Sequence, residues 1–256
     1  MITLLANERY GKILSILDLE GSVKSSKLVK KLEVSLETIR RDLENLEKQG
    51  LLKKVHGGAV AKTNKVDNLP YTLREDESRE EKQAVASKAL EYIGEGETIA
   101  LNGSTTNIEI AKLLKVKYNN LTVITNSLLI ANELVQKEGI NLILVGGIYN
   151  KREFSFLGEN TVNALDKFSV NKSFISVGGV SLKRGVTDFL EEEVQLQKKF
   201  IEIANEVIIL AVSSKIGNNS LIKICDLEDI NFIITDSKLD KNMKKKYLKN
   251  GIEIKN

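Results

Sequence analysis

The 256-residue chain has one histidine, one cysteine, one proline and no tryptophan, and only 5% of its residues are aromatic. Each scarcity excludes something. A single cysteine, Cys225, cannot close an internal disulfide, which suits a reducing, cytoplasmic setting. Beside Ile224 it reads as core filler, because free cysteine is usually buried. With His56 and Cys225 the only soft ligands, a structural zinc site lacks donors, and no metal or cofactor is expected. A Ser/His or Cys/His catalytic pair would have to use His56. Few aromatics leave no stacking platform for RNA. No apolar run approaches the ~20 residues that cross a bilayer, so no membrane partner is expected. The first residues lack a basic stretch followed by an apolar one, so no secretory signal is expected.

What is present is unevenly placed. The net charge is only +3, but residues 1–60 hold 11 Lys/Arg against 8 Asp/Glu, and the remainder holds 27 of each. The whole excess therefore lies in the first 60 residues, as phosphate contacts there would require.

That segment reads as three short helices. The first runs over about residues 8–19 with Ile13, Ile16 and Leu17 on one face, and Gly21-Ser22 breaks it. Val23 leads into a second helix carrying Leu28, Val29 and Leu32. Ser35 stands where an N-cap belongs, and Gly50 suits the stop of the third helix. In that helix Ile39, Leu43 and Leu46 form one apolar stripe. Thr38, Arg41 and Asn45 project from the opposite side, and Arg40 lies on the flank. Such groups can read base edges and phosphates in a major groove, or they can be a solvated face of a helical bundle. The run Leu51 to Val60 then looks like two short strands around Gly57-Gly58. It carries Lys53, Lys54 and His56 where a wing would touch DNA phosphates. Three helices and a wing favour the DNA-reading alternative.

Arg9, Ile13 and Leu17, followed by Ser35-Leu36-Glu37-Thr38-Ile39-Arg40-Arg41-Asp42-Leu43, resemble the helix-turn-helix signature of DeoR-type regulators. His56-Gly57-Gly58-Ala59 resembles that family's wing. The resemblance implies that Ser35, Thr38, Arg40 and Arg41 contact double-stranded operator DNA. It leaves Arg9 and Asp42 to orient the helices as a charge pair. Residues 61–68 read as a linker and residues 72–82 as the start of a charged helix packing onto the next domain. Tyr71 and Arg74 match the family here. The expected organisation is thus residues 1–60 for DNA, 61–81 as linker and connecting helix, and 82–256 as a second domain.

From residue 83 onward strands alternate with helices. Candidate strands are Thr98–Leu101, Leu121–Thr125, 141–145, 172–177, 207–212 and 231–235, with helices over 108–114, 128–137 and 192–204. This order predicts a doubly wound, mostly parallel α/β sheet with helices on both faces. Its exits are polar: Asn102-Gly103-Ser104-Thr105-Thr106, Asn126-Ser127, Gly146-Gly147, Gly178-Gly179 and Ser213-Ser214-Lys215, with Asp236 closing the last strand. Ligands of open α/β sheets bind beyond the carboxyl ends of the strands. Gly103 lets the backbone approach an anion, Ser104, Thr105 and Thr106 offer hydroxyls, and the following helix presents free amides. Lys215 supplies a compensating cation. A small anionic, hydroxylated ligand fits this set better than simple turns do.

This half resembles the sugar-sensing domain of the same family, whose fold is similar to ribose-5-phosphate isomerase and glucosamine-6-phosphate deaminase. The matching segments are residues 121–127, Gly185-Val186-Thr187-Asp188 and Ser213-Ser214-Lys215-Ile216-Gly217. The resemblance implies a phosphorylated-sugar effector, adds Thr187, Asp188 and Glu193 to its site, and implies a homodimer or homotetramer. Asn102, Asn171 and Val212 stand where aspartates are usual, which alters the crevice electrostatics. Glu191-Glu192-Glu193 opens a helix, where acidic residues suit the dipole. An isomerase or deaminase would need a general base beside the substrate carbon, yet Gly178-Gly179-Val180-Ser181 offers no acid and no histidine. The sequence therefore reads as a regulator, a repressor of sugar uptake or catabolism genes by resemblance, and not as an enzyme.

Overall fold

The computed structural model describes residues 5–61 and 70–256, so most of the expected linker lies outside the described residues. The chain forms two compact units, Met1–Glu77 and Ser78–Asn256. No helix among the described residues is long and apolar enough to cross a membrane.

The first unit contains α1 (Ala6–Glu20), β1 (Ser22–Lys24), α2 (Ser25–Leu32), α3 (Leu36–Lys48), β2 (Leu52–Val55), β3 (Gly58–Ala61) and the single turn α4 (Tyr71–Arg74). The expected apolar stripes meet in one core. Ile13, Leu28, Ile39 and Leu46 are fully buried there, with Val23, Leu52 and Leu73 around them. The three strands pair antiparallel in the order β1-β3-β2, making a winged helix-turn-helix. Strand β1 escapes a reading of the sequence, since three residues with one buried side chain, Val23, are too few for a period to register. The wing depends on two glycines. Gly57 turns the hairpin at φ +81°, a conformation that costs glycine little. Gly58 lies so close to β1 that a Cβ would sit 2.0 Å from the Val23 carbonyl oxygen. The Gly57 carbonyl accepts from the Ser25 amide at 2.8 Å, which ties the wing tip to the start of α2.

The charged helix expected from Thr72 is not continuous. Tyr71–Arg74 is a separate turn that buries Leu73 in the first unit's core, and Ser78 at φ 51° breaks the chain before the next helix. Tertiary burial of Leu73 outweighs the helical propensity of the charged run.

The second unit runs α5 (Arg79–Ala89), β4 (Thr98–Leu101), α6 (Asn107–Lys117), β5 (Leu121–Thr125), α7 (Leu128–Leu134), β6 (Ile140–Leu144), β7 (Ile148–Asn150), β8 (Ser155–Leu157) and α8 (Glu159–Asn163). It continues through β9 (Val170–Ser176), β10 (Gly179–Ser181), β11 (Gly185–Asp188), α9 (Glu191–Glu202), β12 (Ala204–Leu210), β13 (Ile222–Cys225), β14 (Phe232–Ile234), α10 (Lys241–Lys249) and β15 (Ile254–Lys255). Seven strands form a parallel sheet in the order β15-β14-β12-β9-β4-β5-β6. Six are the expected strands, shifted by a few residues at their ends. Helices cover both faces, because successive strand residues point opposite ways. Phe174, Ile208 and Leu210 pack with Val85, Ile110 and Ile130, whereas Ile175 and Ile209 pack with Val194, Phe200 and Tyr247.

Two antiparallel additions lie outside the expected pattern: the β7–β8 hairpin and the sheet β10-β11-β13. The segment read as an open loop after β9 is therefore partly strand, with Gly179 opposite Thr187 and Ser181 opposite Gly185. Cys225 on β13 is buried as expected. Its thiol is pushed up to about 12 by burial and by Asp229 and Asp226 nearby, so it stays protonated and inert.

Replacing Gly58 by alanine should force β1 and β3 apart and destabilise the first unit by about 1–3 kcal/mol. Denaturant unfolding of the full chain measures this, and an unchanged first-unit transition contradicts the strand contact.

Candidate functional sites

In the first unit, α3 starts at an exposed and well-capped end. Ser35 Oγ accepts from the Thr38 amide at 3.1 Å and lies 2.9 Å from Thr38 Oγ1. One turn on, the side chains of Arg40 and Arg41 are 62% and 76% exposed. Glu37 approaches them only at 3.9 and 3.7 Å, so both remain available to another anion. Behind this face the frame is rigid. Arg9 Nε donates to Asp42 Oδ2 at 2.8 Å and Nη2 to Oδ1 at 3.0 Å, with both residues buried. The carboxylate holds the guanidinium pKa above its ordinary value despite burial. This two-point pair fixes the direction of α3 on α1, the orienting role expected for it.

The remaining candidates divide. Lys53 and His56 are exposed on the wing. Asn45 instead donates from its amide to the Tyr10 hydroxyl at 2.9 Å, a second tie between α3 and α1. Lys54 Nζ meets Glu44 at 2.7 Å, lowering that carboxyl's pKa, and the Lys54 amide meets Glu47 at 2.7 Å, so Lys54 docks β2 on α3. The structure also assembles residues the sequence reading passed over. Lys24, Lys27, Lys30 and Lys31 line one groove with His56 and Gly57. The signal was four lysines in eight residues (24–31).

In the second unit the chain proceeds from β4 to β5 and β6, then crosses back to place β9 on the other side of β4. The carboxyl ends of β4 and β9 therefore flank a switch point. Asn102 closes it. Its Nδ2 donates to the Ser176 carbonyl at 3.1 Å, and its Oδ1 accepts from the Ser176 amide at 2.9 Å and from Asn107 Nδ2 at 2.9 Å. Asn107, fully buried at the start of α6, also donates to the carbonyls of Asn102 and Phe174. Asparagine can give and take here; an ionised aspartate could only accept and would face a carbonyl. Asn171 also acts structurally, accepting the Thr98 amide at 2.8 Å, and Val212 is buried in an apolar core.

The loop after Asn102 is tied at both ends. Gly103 N donates to Asn126 Oδ1 at 2.9 Å, and Ser104 Oγ accepts from Asn107 N at 2.9 Å to cap α6. No acceptor among the described residues engages the amides of Ser104, Thr105 and Thr106. Asn126 completes the tie by donating to the Phe156 carbonyl at 3.0 Å, and Ser127 caps α7. Gly147 packs against α8 instead, where a Cβ would strike Thr161 Oγ1; Gly146 is exposed beside it.

Across the switch point Thr187 is fully buried, donating to the Gly179 carbonyl and accepting from the Ser220 amide. Asp188 Oδ2 accepts from Gln197 Nε2 at 2.8 Å, and Gln197 also reaches the Ser176 carbonyl at 3.2 Å. Glu193 is buried one turn earlier on α9. Lys215 Nζ donates to the Val177 carbonyl at 2.6 Å, and Asp236 accepts the Ser213 amide. The exits of β5, β4, β9, β12 and β14 are thus linked neighbour to neighbour. Side chains expected to face a ligand, those of Asn102, Asn126 and Thr187, hold this framework.

Fold and sites define a two-part regulator: a winged helix-turn-helix with an exposed cationic helix start, and an α/β sensor unit. Residues 9–65 match the DeoR-like helix-turn-helix domain and residues 77–237 the DeoR C terminal sensor domain. The chain belongs to the DeoR family of transcriptional regulators. It is 40% identical over 237 residues, 93% of this chain and 91% of the relative, to the uncharacterized HTH-type transcriptional regulator YulB of Bacillus subtilis (strain 168). It is 34% identical to the HTH-type transcriptional regulator GolR of Listeria innocua, covering 97% of each chain. It is 30% identical to the glycerol-3-phosphate regulon repressor of Escherichia coli (strain K12), covering 90% of each. Among solved structures, ribose 5-phosphate isomerase A from Methanocaldococcus jannaschii aligns with 53% of each chain at 19% identity and a TM-score of 0.38.

Asn102→Asp should destabilise the sensor unit by roughly 1–3 kcal/mol at neutral pH, because a donor is lost and a carboxylate is set against a carbonyl. The folded state raises this carboxyl's pKa, so the deficit should shrink on acidification. Urea unfolding at neutral and mildly acidic pH checks both; a deficit independent of pH contradicts the bonding pattern.

Proposed function

We propose that the chain is a repressor of a sugar uptake or catabolism operon, acting in the cytoplasm, whose operator affinity is set by a phosphorylated sugar. The observation that carries the DNA half is the start of α3. Ser35, Arg40 and Arg41 stand exposed and Thr38 half-buried on a helix whose direction Arg9 and Asp42 fix from behind. A recognition helix enters the major groove by its N-terminal residues, and two arginines there can meet guanine edges or phosphates. Lys53, His56 and the lysines of α2 supply backbone contacts alongside.

The effector half rests on the loop 103–106. Three amides without an acceptor among the described residues at the start of an 11-residue helix suit a phosphoryl group. Lys215, on the far side of the switch point, supplies positive charge. Asp188, Glu193 and the hydroxyls suit a sugar. The crevice binds without turnover in this reading. Asp188 is held by Gln197 and by the Phe189 amide rather than poised as a base. Copies associate as a homodimer or homotetramer, so that paired recognition helices meet paired half-sites.

Fluorescence anisotropy on DNA from upstream of the gene, at two salt concentrations and with a panel of sugar phosphates, tests the reading. The wild type should bind specifically, and one sugar phosphate should shift its affinity. Arg41→Ala should weaken binding by about 1–3 kcal/mol if it reads a base, or lower the salt slope by about one if it meets a phosphate. Lys215→Ala should leave DNA binding intact and remove the response. Absence of specific binding to that DNA and to neighbouring promoters contradicts the proposal.

A further inference from the structure

The twelve residues from Gly139 to Asn150 contain no charge, in a chain where 29% of residues are charged. Yet among them only Val145 is buried. They comprise β6, the outer strand of the seven-stranded sheet, and the start of the β7–β8 hairpin. Leu144 is 37% exposed, Tyr149 37% and Ile148 74%, and Val135 at the end of α7 is 65% exposed. The opposite edge of the same sheet is built differently. There β15 has two residues, and its Lys255 lies over Tyr92 and Phe232 and pairs with Glu253. A short edge carrying a lysine resists pairing with another strand; a five-residue uncharged edge invites it.

The hydrogen-bonding parity of β6 says what fits. The Gly139 carbonyl accepts from the Leu121 amide, and the Val145 amide donates to the Thr125 carbonyl, so odd-numbered residues face β5. The N–H and C=O of Leu142 and Leu144 therefore point outward, and they find no partner among the described residues. Only another strand edge presents the matching alternation of donors and acceptors.

We propose that β6 is the edge through which two copies of this chain associate, antiparallel about a twofold axis through Leu142. In that register each Leu142 exchanges two N–H···O bonds with its counterpart, and Leu144 lies opposite the partner's Ile140. The seven-stranded sheets join into one, and the outer faces of Ile148 and Tyr149 are covered beside the seam. A second copy is the occupant because the segment is complementary to itself under the twofold operation that closes a dimer. An uncharged core flanked by Glu138 and Lys151 gives no electrostatic means of selecting a foreign partner. The surface is argued from the edge alone; its use in presenting two recognition helices rests on the operator reading above.

Two variants of the full chain test it. Leu144→Glu with Ile148→Glu changes exposed side chains only, and circular dichroism should show the fold intact. Light scattering should find the wild type at twice the chain mass or a multiple of that, and the double variant at half the wild-type mass or less. Leu142→Cys should form an intermolecular disulfide on mild oxidation, whereas the wild type, with Cys225 buried, should not. A monomeric wild type, or an oligomer whose mass survives the double substitution, overturns the interface. Absence of the Leu142→Cys cross-link overturns the register. If the operator reading also holds, the double variant should bind a two-half-site duplex about 10²-fold more weakly and a single half-site unchanged. Mass and cross-linking do not depend on DNA, so the two failures are distinguishable.

Discussion

The sensor unit is organised around one amide. Asn102 at the end of β4 pairs with both backbone groups of Ser176 at the end of β9, where the order of the parallel strands reverses. At that point the two strands diverge into separate loops and would leave an open seam. The asparagine extends their pairing by one step with its side chain, and Asn107 braces it from the start of α6. Two consequences follow. The loop 103–106 leaves the sheet in a fixed direction, with the amides of Ser104, Thr105 and Thr106 left without an acceptor among the described residues. The Ser176 carbonyl is shared with Gln197, so α9 and Asp188 are tied to the same seam. The switch point is therefore walled by the exits of five strands joined in one hydrogen-bond network.

The first unit uses the same device at a smaller scale. A buried, two-point ion pair between Arg9 and Asp42, helped by Asn45 on Tyr10, sets the angle of α3. Removing one member of such a pair would leave a buried charge uncompensated, which costs roughly 3–5 kcal/mol. Its fixed geometry lets the exposed arginines one turn away be held by the frame rather than by each other. In the first unit Arg9 and Asp42 position the site from behind, whereas in the second Asp188 and Lys215, proposed for the effector, are themselves tied into the framework.

Much of this was legible in the sequence, and the rest was hidden for identifiable reasons. The apolar stripe of Ile39, Leu43 and Leu46 and the strands buried on both faces announce themselves through periodicity. Strand β1 is too short to do so, and β10, β11 and β13 are short segments whose pairing is set by tertiary contacts. The polar strand exits were found, but their side-chain roles were not. Spacing cannot distinguish an asparagine that faces a ligand from one that staples two strands. The lysines of α2 were visible as composition, yet only folding places them beside His56. The replacement of aspartate at position 102 looked like a lost charge at the crevice. The structure shows an amide doing what an ionised carboxylate cannot, with its donor on Ser176.

The central claim is that one sugar phosphate and one operator bind the same chain at linked sites. Such linkage is reciprocal: whatever factor the effector imposes on DNA affinity, DNA must impose on effector affinity. The direct measurement is a pair of calorimetric titrations, the effector into free protein and into protein saturated with operator. The account expects the effector dissociation constant to change between them, by the same factor as the operator dissociation constant changes with effector. Equal effector affinity for the free and DNA-bound protein would contradict it.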